Sequence, residues 1–421
     1  MLDSLSDGPH GDQTEDLHLT IDLALKMFFF LAALLAIQSL VSLRDGYKFL
    51  GLVRRSRQAS PGNHFPSAAV IIPCKDIDAD SQANLASFLD QDYPAYQVVF
   101  VVADEKDPVW QIISGHLTRR TEGSPKALLL VAGYADDRGE KVNNLLRGAE
   151  AAEGEAEILV FADIDARPAR DWLRSLVAPL ADLHVTVSTG FRWYLPGSGF
   201  VSQLRAAWDT SIATLLGDHD RNFAWGGSMA IRAADFRRLA VAERYWAHTV
   251  SDDYALTRAV REAHGRIRFE PRCLVASREE SSFAEFLRWS NRQIIITRVY
   301  APRLWWLGLS SHLLYCLTFL IGLGLFVCPA TPFQARGAIA LALVAILAFG
   351  MAKGHVRTIV ARTLFPGEFQ TPSRYWQLAP LVPWVMLYNF VFAGFTRRIE
   401  WRGTSYDLLS RNEVRILKRD R

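Results

Sequence analysis

The sequence has little net charge and no block of basic residues. Its 47 Lys and Arg are nearly balanced by 44 Asp and Glu, which leaves a formal net charge of +3. Because binding to a nucleic-acid backbone needs concentrated positive charge, this composition argues against a nucleic-acid-binding protein. The charge is unevenly placed, since residues 1–22 contain no Lys or Arg whereas residues 44–57 contain five.

Cysteine is also scarce. Cys74, Cys273, Cys316 and Cys328 are scattered, and no two of them have the spacing of zinc ligands. This excludes a cysteine-rich zinc module and a disulfide framework. We expect reduced cysteines, as in a catalytic region that faces the cytoplasm.

Long apolar runs, by contrast, are abundant. Half of the residues are hydrophobic and 12 are Trp, a composition typical of membrane-associated proteins with interfacial aromatic residues. The first run, 27–43, is uncharged and can extend back past Lys26, so it is long enough to span a bilayer. A signal peptide is the alternative, but the preceding residues are acidic. The positive-inside rule places the basic residues that follow in the cytoplasm.

Three further apolar runs follow residue 300. Residues 304–327 and 337–352 are predicted to span the membrane. Residues 375–396 are long enough but contain Pro380 and Pro383. Three full crossings would put the Arg-rich C-terminus outside, against the positive-inside rule. We therefore predict a re-entrant or interfacial segment here, with a third span as the alternative.

Between the apolar runs, residues 65–298 are predicted to form one soluble α/β domain. Short apolar runs alternate with helical stretches, which indicates βαβ units and a mainly parallel sheet. The predicted strands are residues 68–72, 98–103, 128–131 and 157–162.

Carboxylates recur where these strands end. Asp76 and Asp78 follow the first strand, Asp104 the second, and Asp163 with Asp165 the last. Ligands of open α/β sheets bind beyond the carboxyl ends of the strands. Two aspartates at such an end can hold a divalent cation that neutralises a diphosphate. Solvated turns remain the alternative, above all for Asp76 and Asp78.

Polar residues at two predicted helix starts are further candidates. Lys141 and Asn144 follow a loop rich in Gly and Asp, where they would bind a phosphate or sugar hydroxyls, or merely cap a helix. Asp252 and Asp253 precede another helix as caps or, if they line the same cleft, as a general base. Gly227 lies in a Trp-Gly-Gly-Ser segment that would let backbone approach a ligand closely.

Aromatic and basic residues complete the set. Arg288 and Trp289 lie on an amphipathic stretch, either as an interfacial anchor or as groups that grip a diphosphate and stack on a ring or lipid. Trp193, Trp225 and Asp252 are the candidates for the side of the site that would hold a second substrate, the acceptor.

Together these motifs resemble those of family 2-like inverting glycosyltransferases, most closely the ceramide glucosyltransferases. The resemblance runs from about Pro73 to Leu408 and depends on the order and spacing of the motifs. The segments that carry it are DYPAYQVVFVVADEKDP, KVNNL, FADID, WGGSMAIR, SDDYALTR, LRW and IEWRGTSYDL.

The resemblance implies a GT-A fold, Rossmann-like with a mainly parallel sheet, flanked here by transmembrane helices. It implies a nucleotide-sugar donor, typically UDP-glucose, and Mg²⁺ or Mn²⁺ bound by Asp163 and Asp165. Asp253 matches the catalytic base. The residues expected to bind the nucleotide-sugar are Pro73, Lys75, Asp104, Lys141, Asn144, Asp163, Gly227, Arg288 and Trp289.

The chain departs from the family pattern at two places. Glu285 stands at the first position of the Q/R-x-x-R-W motif, which ends at Arg288 and Trp289. Animal ceramide enzymes carry a histidine in the region occupied here by Ser211 and Ile212.

The expected function is transfer of glucose from UDP-glucose to the hydroxyl of a ceramide-like lipid by a multi-pass protein of the bacterial inner membrane. A different lipid acceptor, such as a hopanoid or diacylglycerol, is one alternative, and a processive polysaccharide synthase is another. An inactive membrane scaffold is the third, against which the intact acid set argues. Oligomeric state stays open.

The expected organisation has six parts. They are an extracytoplasmic tail (1–22), a transmembrane helix (23–43), a linker (44–64), a cytoplasmic GT-A domain (65–298), a membrane region (303–396) and a basic cytoplasmic tail (397–421).

Overall fold

A seven-stranded sheet forms the centre of the computed structural model, which describes residues 10–76, 81–118, 124–277, 280–367 and 375–419. Asp78 lies outside the described residues. The strands are β1 (Ala68–Pro73), β2 (Tyr96–Val102), β3 (Lys126–Val131), β4 (Ile158–Ala162), β5 (Val185–Tyr194), β6 (Ser228–Arg232) and β7 (Arg266–Ser277).

The strand order is β3-β2-β1-β4-β6-β5-β7. β3, β2, β1 and β4 are parallel neighbours, β6 is antiparallel to both β4 and β5, and β5 pairs in parallel with β7. The predicted strands and the mainly parallel α/β class are confirmed. β4 is buried throughout, as expected for a strand covered on both faces.

Helices pack on both faces of the sheet, and alternate residues of β1 point to opposite sides. Val70 and Ile72 face one core, and Ala69 and Ile71 face the other. The helices of this domain are α2 (Ser81–Leu89), α3 (Pro108–Thr118), α4 (Glu140–Ala151), α5 (Trp172–Val177), α6 (Phe200–Ala213), α7 (Ala233–Arg238), α8 (Asp252–Glu262) and α9 (Phe283–Tyr300).

Four segments of the described chain are long and apolar enough to cross a membrane, judged by length and composition. Three of them lie in the long helices α1 (His10–Gln58), α10 (Pro302–Val327) and α11 (Phe333–Leu364). α1 continues through residues 44–58, so most of the segment predicted as a linker is helical. Arg54, Arg55 and Arg57 are good helix formers, and no proline occurs between His10 and Pro61 to end the helix.

The fourth apolar segment, 376–395, is interrupted. A 3₁₀ turn at Tyr375–Leu381 precedes α12 (Val382–Phe395), which has 14 residues and a proline in its first turn. At 1.5 Å per residue α12 is about 21 Å long, shorter than a hydrocarbon core of about 30 Å. Its Asn389 accepts a hydrogen bond from Trp208 of α6 and donates to Ser290 and Asn291 of α9. α12 is therefore tied to the α/β domain.

The segment predicted as a basic tail, 397–421, is folded over residues 398–419. It forms an antiparallel sheet of β8 (Arg398–Trp401), β9 (Thr404–Ser410) and β10 (Glu413–Arg419). Thr404, Tyr406 and Leu408 alternate inward along β9, the period expected of a half-buried strand. The Tyr406 hydroxyl accepts a hydrogen bond from the Glu140 backbone N–H at 3.3 Å. The C-terminal sheet thus packs directly on the α/β domain.

Gly190→Ala should destabilise the protein by about 1–3 kcal/mol, the usual effect of overpacking. A Cβ at Gly190 in β5 would lie 2.0 Å from the Cys273 carbonyl oxygen of β7, which cannot move without breaking the sheet. Gly115→Ala in α3 is the control, because nothing lies within 4 Å of its Cβ position. Thermal unfolding in detergent measures both variants. Equal unfolding temperatures for the two variants would contradict the prediction.

Candidate active site

A cavity of about 430 Å³ opens at the carboxyl ends of β1 and β4. The first turns of α4 and α8, the inner faces of α6 and α9, and the β8–β9 turn close it. Predicted site residues that line it are Pro73, Lys75, Lys141, Asn144, Asp163, Asp165, Trp225, Asp252, Asp253 and Trp289.

Lys141 joins two of the acidic groups. Its Nζ lies 2.8 Å from Asp163 Oδ1 and 3.2 Å from Asp252 Oδ2. The first carboxylate comes from the end of β4, the second from the first turn of α8, and the lysine from the first turn of α4. One ammonium group therefore brings three separate elements together.

Arg192 of β5 neutralises the D-x-D pair from the other side. Its Nη1 donates to Asp165 Oδ2 at 2.9 Å, its Nη2 also pairs with Asp165 Oδ1, and Nη2 lies 3.4 Å from Asp163 Oδ2. Burial works to raise the pKa of Asp165, but Arg192 outweighs it and holds that pKa well below its usual range. Both carboxylates of the motif are therefore paired inside the protein.

Two glycines let the charged groups approach each other. A Cβ at Gly226 would lie 2.0 Å from Asp252 Oδ2 and 2.8 Å from Lys141 Nζ. A Cβ at Gly227 would lie 2.6 Å from Asp163 Oδ2. No other residue fits either position without moving the cluster. Gly227 does not line the cavity, but it sets the space that Asp163 occupies.

The two neighbouring aspartates of α8 have different surroundings. Asp253 is half-buried, and its Oδ1 accepts hydrogen bonds from the Ser251 hydroxyl and from the Tyr254 N–H at 2.7 Å. Asp252 is buried and faces Lys141. Burial raises the pKa of Asp252 to about 7, because it outweighs the attraction of Lys141. Asp253 is thus held in place by hydrogen bonds, and burial makes Asp252 a weaker acid.

Lys75 and Asn144 line the cavity but also make structural contacts. Lys75 Nζ pairs with the buried Glu140 at 3.0 Å. Asn144 donates from Nδ2 to the Val101 carbonyl of β2 at 3.2 Å, which fixes α4 against the sheet.

Besides Gly227, three predicted site residues lie outside the cavity. Asp104 follows β2, one strand away, where its Oδ1 accepts from the Lys106 N–H. Arg288 is exposed on α9, away from the cavity that Trp289 lines. Trp193 is completely buried and stacks on Phe49 of α1, with ring centroids 6.3 Å apart. The structure does not bring these three side chains to the cavity.

Aromatic and apolar side chains also line the cavity. Trp289 packs edge-on against Trp208, and Arg205 lies over the Trp289 ring at 4.6 Å. Ile212 and Phe223 are further apolar members of the lining. The cavity therefore combines charged and apolar surface.

Residues from the C-terminal sheet also line the cavity, and sequence reasoning missed them. They are Trp401, Arg402 and Tyr406. The only signal was the segment IEWRGTSYDL, which contributed to the resemblance without an assigned role.

Comparison with known proteins identifies one family and two solved structures to which the chain is similar. The family model of glycosyl transferase family 21 matches residues 30–414. A mannosyltransferase from Pyrobaculum calidifontis, in complex with GDP-Man and Mn²⁺, is 16% identical over 87% of this chain and 98% of that chain, with a TM-score of 0.45. Glucosyl-3-phosphoglycerate synthase from Mycobacterium tuberculosis, in complex with Mn²⁺ and UDP-Glc, is 15% identical over 59% of this chain and 82% of that chain, with a TM-score of 0.35.

Asp252→Asn should make stability less dependent on pH. The folded protein keeps a proton on Asp252 up to about pH 7, whereas the unfolded chain loses it near the ordinary pKa of 3.8. Since the folded state binds the extra proton, this contribution to stability is present at low pH and is lost as pH rises between these values. Unfolding temperatures at pH 5 and pH 8 should differ by a few degrees less in the variant than in wild type.

The control for that measurement is Asp90→Asn, because Asp90 is an exposed partner of Arg170. It should keep the wild-type pH dependence. An unchanged pH dependence in Asp252→Asn would contradict the assignment of the raised pKa to this group.

Proposed function

Because the chain belongs to glycosyl transferase family 21, we propose that it is a membrane-bound inverting glycosyltransferase that moves glucose from UDP-glucose to a hydroxyl of a ceramide-like lipid. The observation that carries this proposal is the meeting of Asp163, Asp165, Asp252 and Asp253 in one cavity that aromatic and apolar side chains also line. The charged residues suit a nucleotide diphosphate and the apolar residues suit a lipid.

The charged residues of the cavity can stabilise a leaving diphosphate. As the bond between the sugar and the phosphate breaks, negative charge grows on the diphosphate and positive character grows at the anomeric carbon. Lys141 and Arg192 place fixed positive charge beside Asp163, where burial strengthens its effect. Both cations are already held in position, so little reorganisation is needed during the reaction.

Asp163 and Asp165 fit a divalent cation that arrives with the donor. Within the part of the chain that the structure describes, no group of three or more His, Cys, Asp or Glu side chains could hold a metal unaided. Mg²⁺, however, usually takes one or two carboxylates and completes its shell with substrate phosphates and water. When bound, Mg²⁺ or Mn²⁺ would supply further neutralisation of the diphosphate.

Asp253 is the general base of the proposed reaction. It takes the proton from the acceptor hydroxyl while that oxygen bonds to the anomeric carbon and the diphosphate leaves from the opposite face, which inverts the configuration. Its Oδ1 is fixed by Ser251 and by the Tyr254 N–H. Asp252 is a weaker candidate for the base because Lys141 faces it.

The surroundings of the apolar lining residues support a lipid acceptor. Phe191, Ile212 and Phe223 line the cavity and also belong to, or pack against, a hydrophobic cluster that contains Phe49 of α1 and Val356 of α11. The site therefore adjoins the long apolar helices. Glu285 takes no part in the cavity, since it forms a capping box with Ser282 at the start of α9.

The contacts of the C-terminal sheet support one membrane topology. Because this sheet packs on the α/β domain, the two lie on the same side of the membrane, and an even number of crossings separates α9 from β8. We assign crossings to α1, α10 and α11 and none to the short, domain-bound α12. The basic residues 54–57 and 397–419 then face the cytoplasm together, as the positive-inside rule expects. A bacterial inner membrane suits this arrangement.

This topology also weighs against a processive polysaccharide synthase. Two crossings follow the α/β domain, which are few for a channel that carries a growing polymer. A hopanoid or diacylglycerol acceptor would contact the same apolar residues, so an experiment must identify the acceptor.

Membranes that contain the protein, supplied with a panel of UDP-sugars and ceramide, should form a hexosylceramide that mass spectrometry detects. UDP-glucose should give the highest yield. Diacylglycerol and a hopanoid, tested in parallel, should give less product. A long polysaccharide, or hydrolysis without a lipid product, would contradict the proposed acceptor.

Asp253→Asn should lower transfer by about 10²–10⁴-fold, the usual contribution of a general base, while donor binding survives. The measurements are initial rates of lipid glycosylation and calorimetric titration with UDP. The control is Asp220→Asn, an exposed partner of Arg266, which should keep wild-type rates. Full activity in Asp253→Asn would refute the role of this carboxylate.

A further inference from the structure

The turn between β8 and β9 enters the cavity. Trp401 pairs with Thr404, so Arg402 and Gly403 form a two-residue turn. Arg402 lines the cavity and contacts the end of β1, although more than 300 residues separate the two in the sequence. The C-terminal sheet therefore delivers a guanidinium group to the site.

Arg402 occupies an unfavourable backbone conformation. Its φ is +45° and that of Gly403 is +74°, the signature of a turn in which Asn, Asp or Gly is preferred at the first position. A non-glycine residue in this region costs of order 1–3 kcal/mol and persists where its surroundings fix it. Such strain is often found at functional sites.

The Arg402 guanidinium lies between the end of β1 and the D-x-D motif. Its Nη1 donates to the Lys75 carbonyl at 2.6 Å and lies 3.7 Å from Asp76 Oδ2, while its Nη2 lies 3.9 Å from Asp165 Oδ2. The last two distances exceed hydrogen-bonding range, so the group is attracted to both carboxylates without being saturated by them. About 38% of the side chain is exposed to the cavity and solvent.

The sheet that carries Arg402 is fixed on both sides. The Tyr406 hydroxyl accepts a hydrogen bond from the Glu140 N–H at the start of α4, and the Arg292 guanidinium of α9 lies over the Trp401 ring at 5.4 Å. Since residues on fixed elements bind ligands with little loss of entropy, Arg402 is preorganised. Arg288, the arginine expected at the diphosphate, is exposed elsewhere on α9.

We propose that Arg402 binds the diphosphate of the nucleotide-sugar donor and thereby stabilises the leaving group. This inference rests on the proposed function, which supplies the donor. A planar guanidinium with several unsaturated N–H groups matches phosphate oxygens in a forked geometry that lysine cannot reproduce. The C-terminal sheet then completes the donor site, and its removal would leave the D-x-D motif open on one side.

The test uses the full-length protein in detergent at saturating Mn²⁺. UDP binding is measured by calorimetry, and uridine binding by saturation-transfer NMR, for wild type, Arg402→Gln and Arg402→Lys. Loss of a charge-assisted hydrogen bond should weaken UDP binding about 10–100-fold in Arg402→Gln and less in Arg402→Lys. Uridine has no phosphate, so its affinity should change by less than about twofold. The control, Arg398→Gln, removes an exposed arginine of the same sheet and should bind UDP as wild type does.

The outcomes separate the two proposals. If wild type binds UDP and Arg402→Gln binds it equally well, Arg402 does not bind the diphosphate although the donor is correct. If the affinities for UDP and for uridine fall by the same factor, Arg402 acts only on the shape of the site, and the inference is overturned. If wild type binds neither UDP nor GDP, the proposed donor fails and this inference fails with it. Should Arg402→Gln not fold, Arg402→Lys carries the same comparison.

Discussion

The structure depends on how a group of buried charges is neutralised. Lys141 lies within 3.2 Å of both Asp163 and Asp252, and Arg192 pairs with Asp163 and Asp165. Removing one partner of such a buried pair leaves an uncompensated charge and typically costs about 3–5 kcal/mol. The ends of β4, β5, α4 and α8 are therefore stable only when they come together. The cations that satisfy this requirement, Lys141 and Arg192, also line the cavity.

The two kinds of cavity lining come from different elements. The sheet ends and the first turns of α4 and α8 supply charge, because polar groups concentrate where buried strands stop. α6 and α9 supply aromatic surface, because the same helices pack against α12 through Trp208 and Asn389. Charged and aromatic groups thus meet in one cavity.

Parts of this arrangement could be predicted because neighbouring residues in the sequence indicate them. β1 and β4 are covered on both faces and are continuous apolar runs. β5 is also buried throughout, but its sequence VTVSTGFRWY contains polar residues, so no continuous apolar run indicates a buried strand there. Arg288 does not line the cavity, for a geometric reason. Successive residues of a helix point about 100° apart, so the helix that turns Trp289 into the cavity turns Arg288 away from it.

Local patterns in the sequence are enough to predict the α/β class, the acids at the strand ends, the apolar helices and the motifs that resemble a glycosyltransferase. These features are set by neighbouring residues and by the periods of strands and helices. The folded chain was needed to show which charges pair, that Trp193 is buried, and that a basic C-terminal segment folds into a sheet whose Arg402 reaches the site. Such contacts join residues far apart in the chain, and the chain carries no local pattern for them until it is folded.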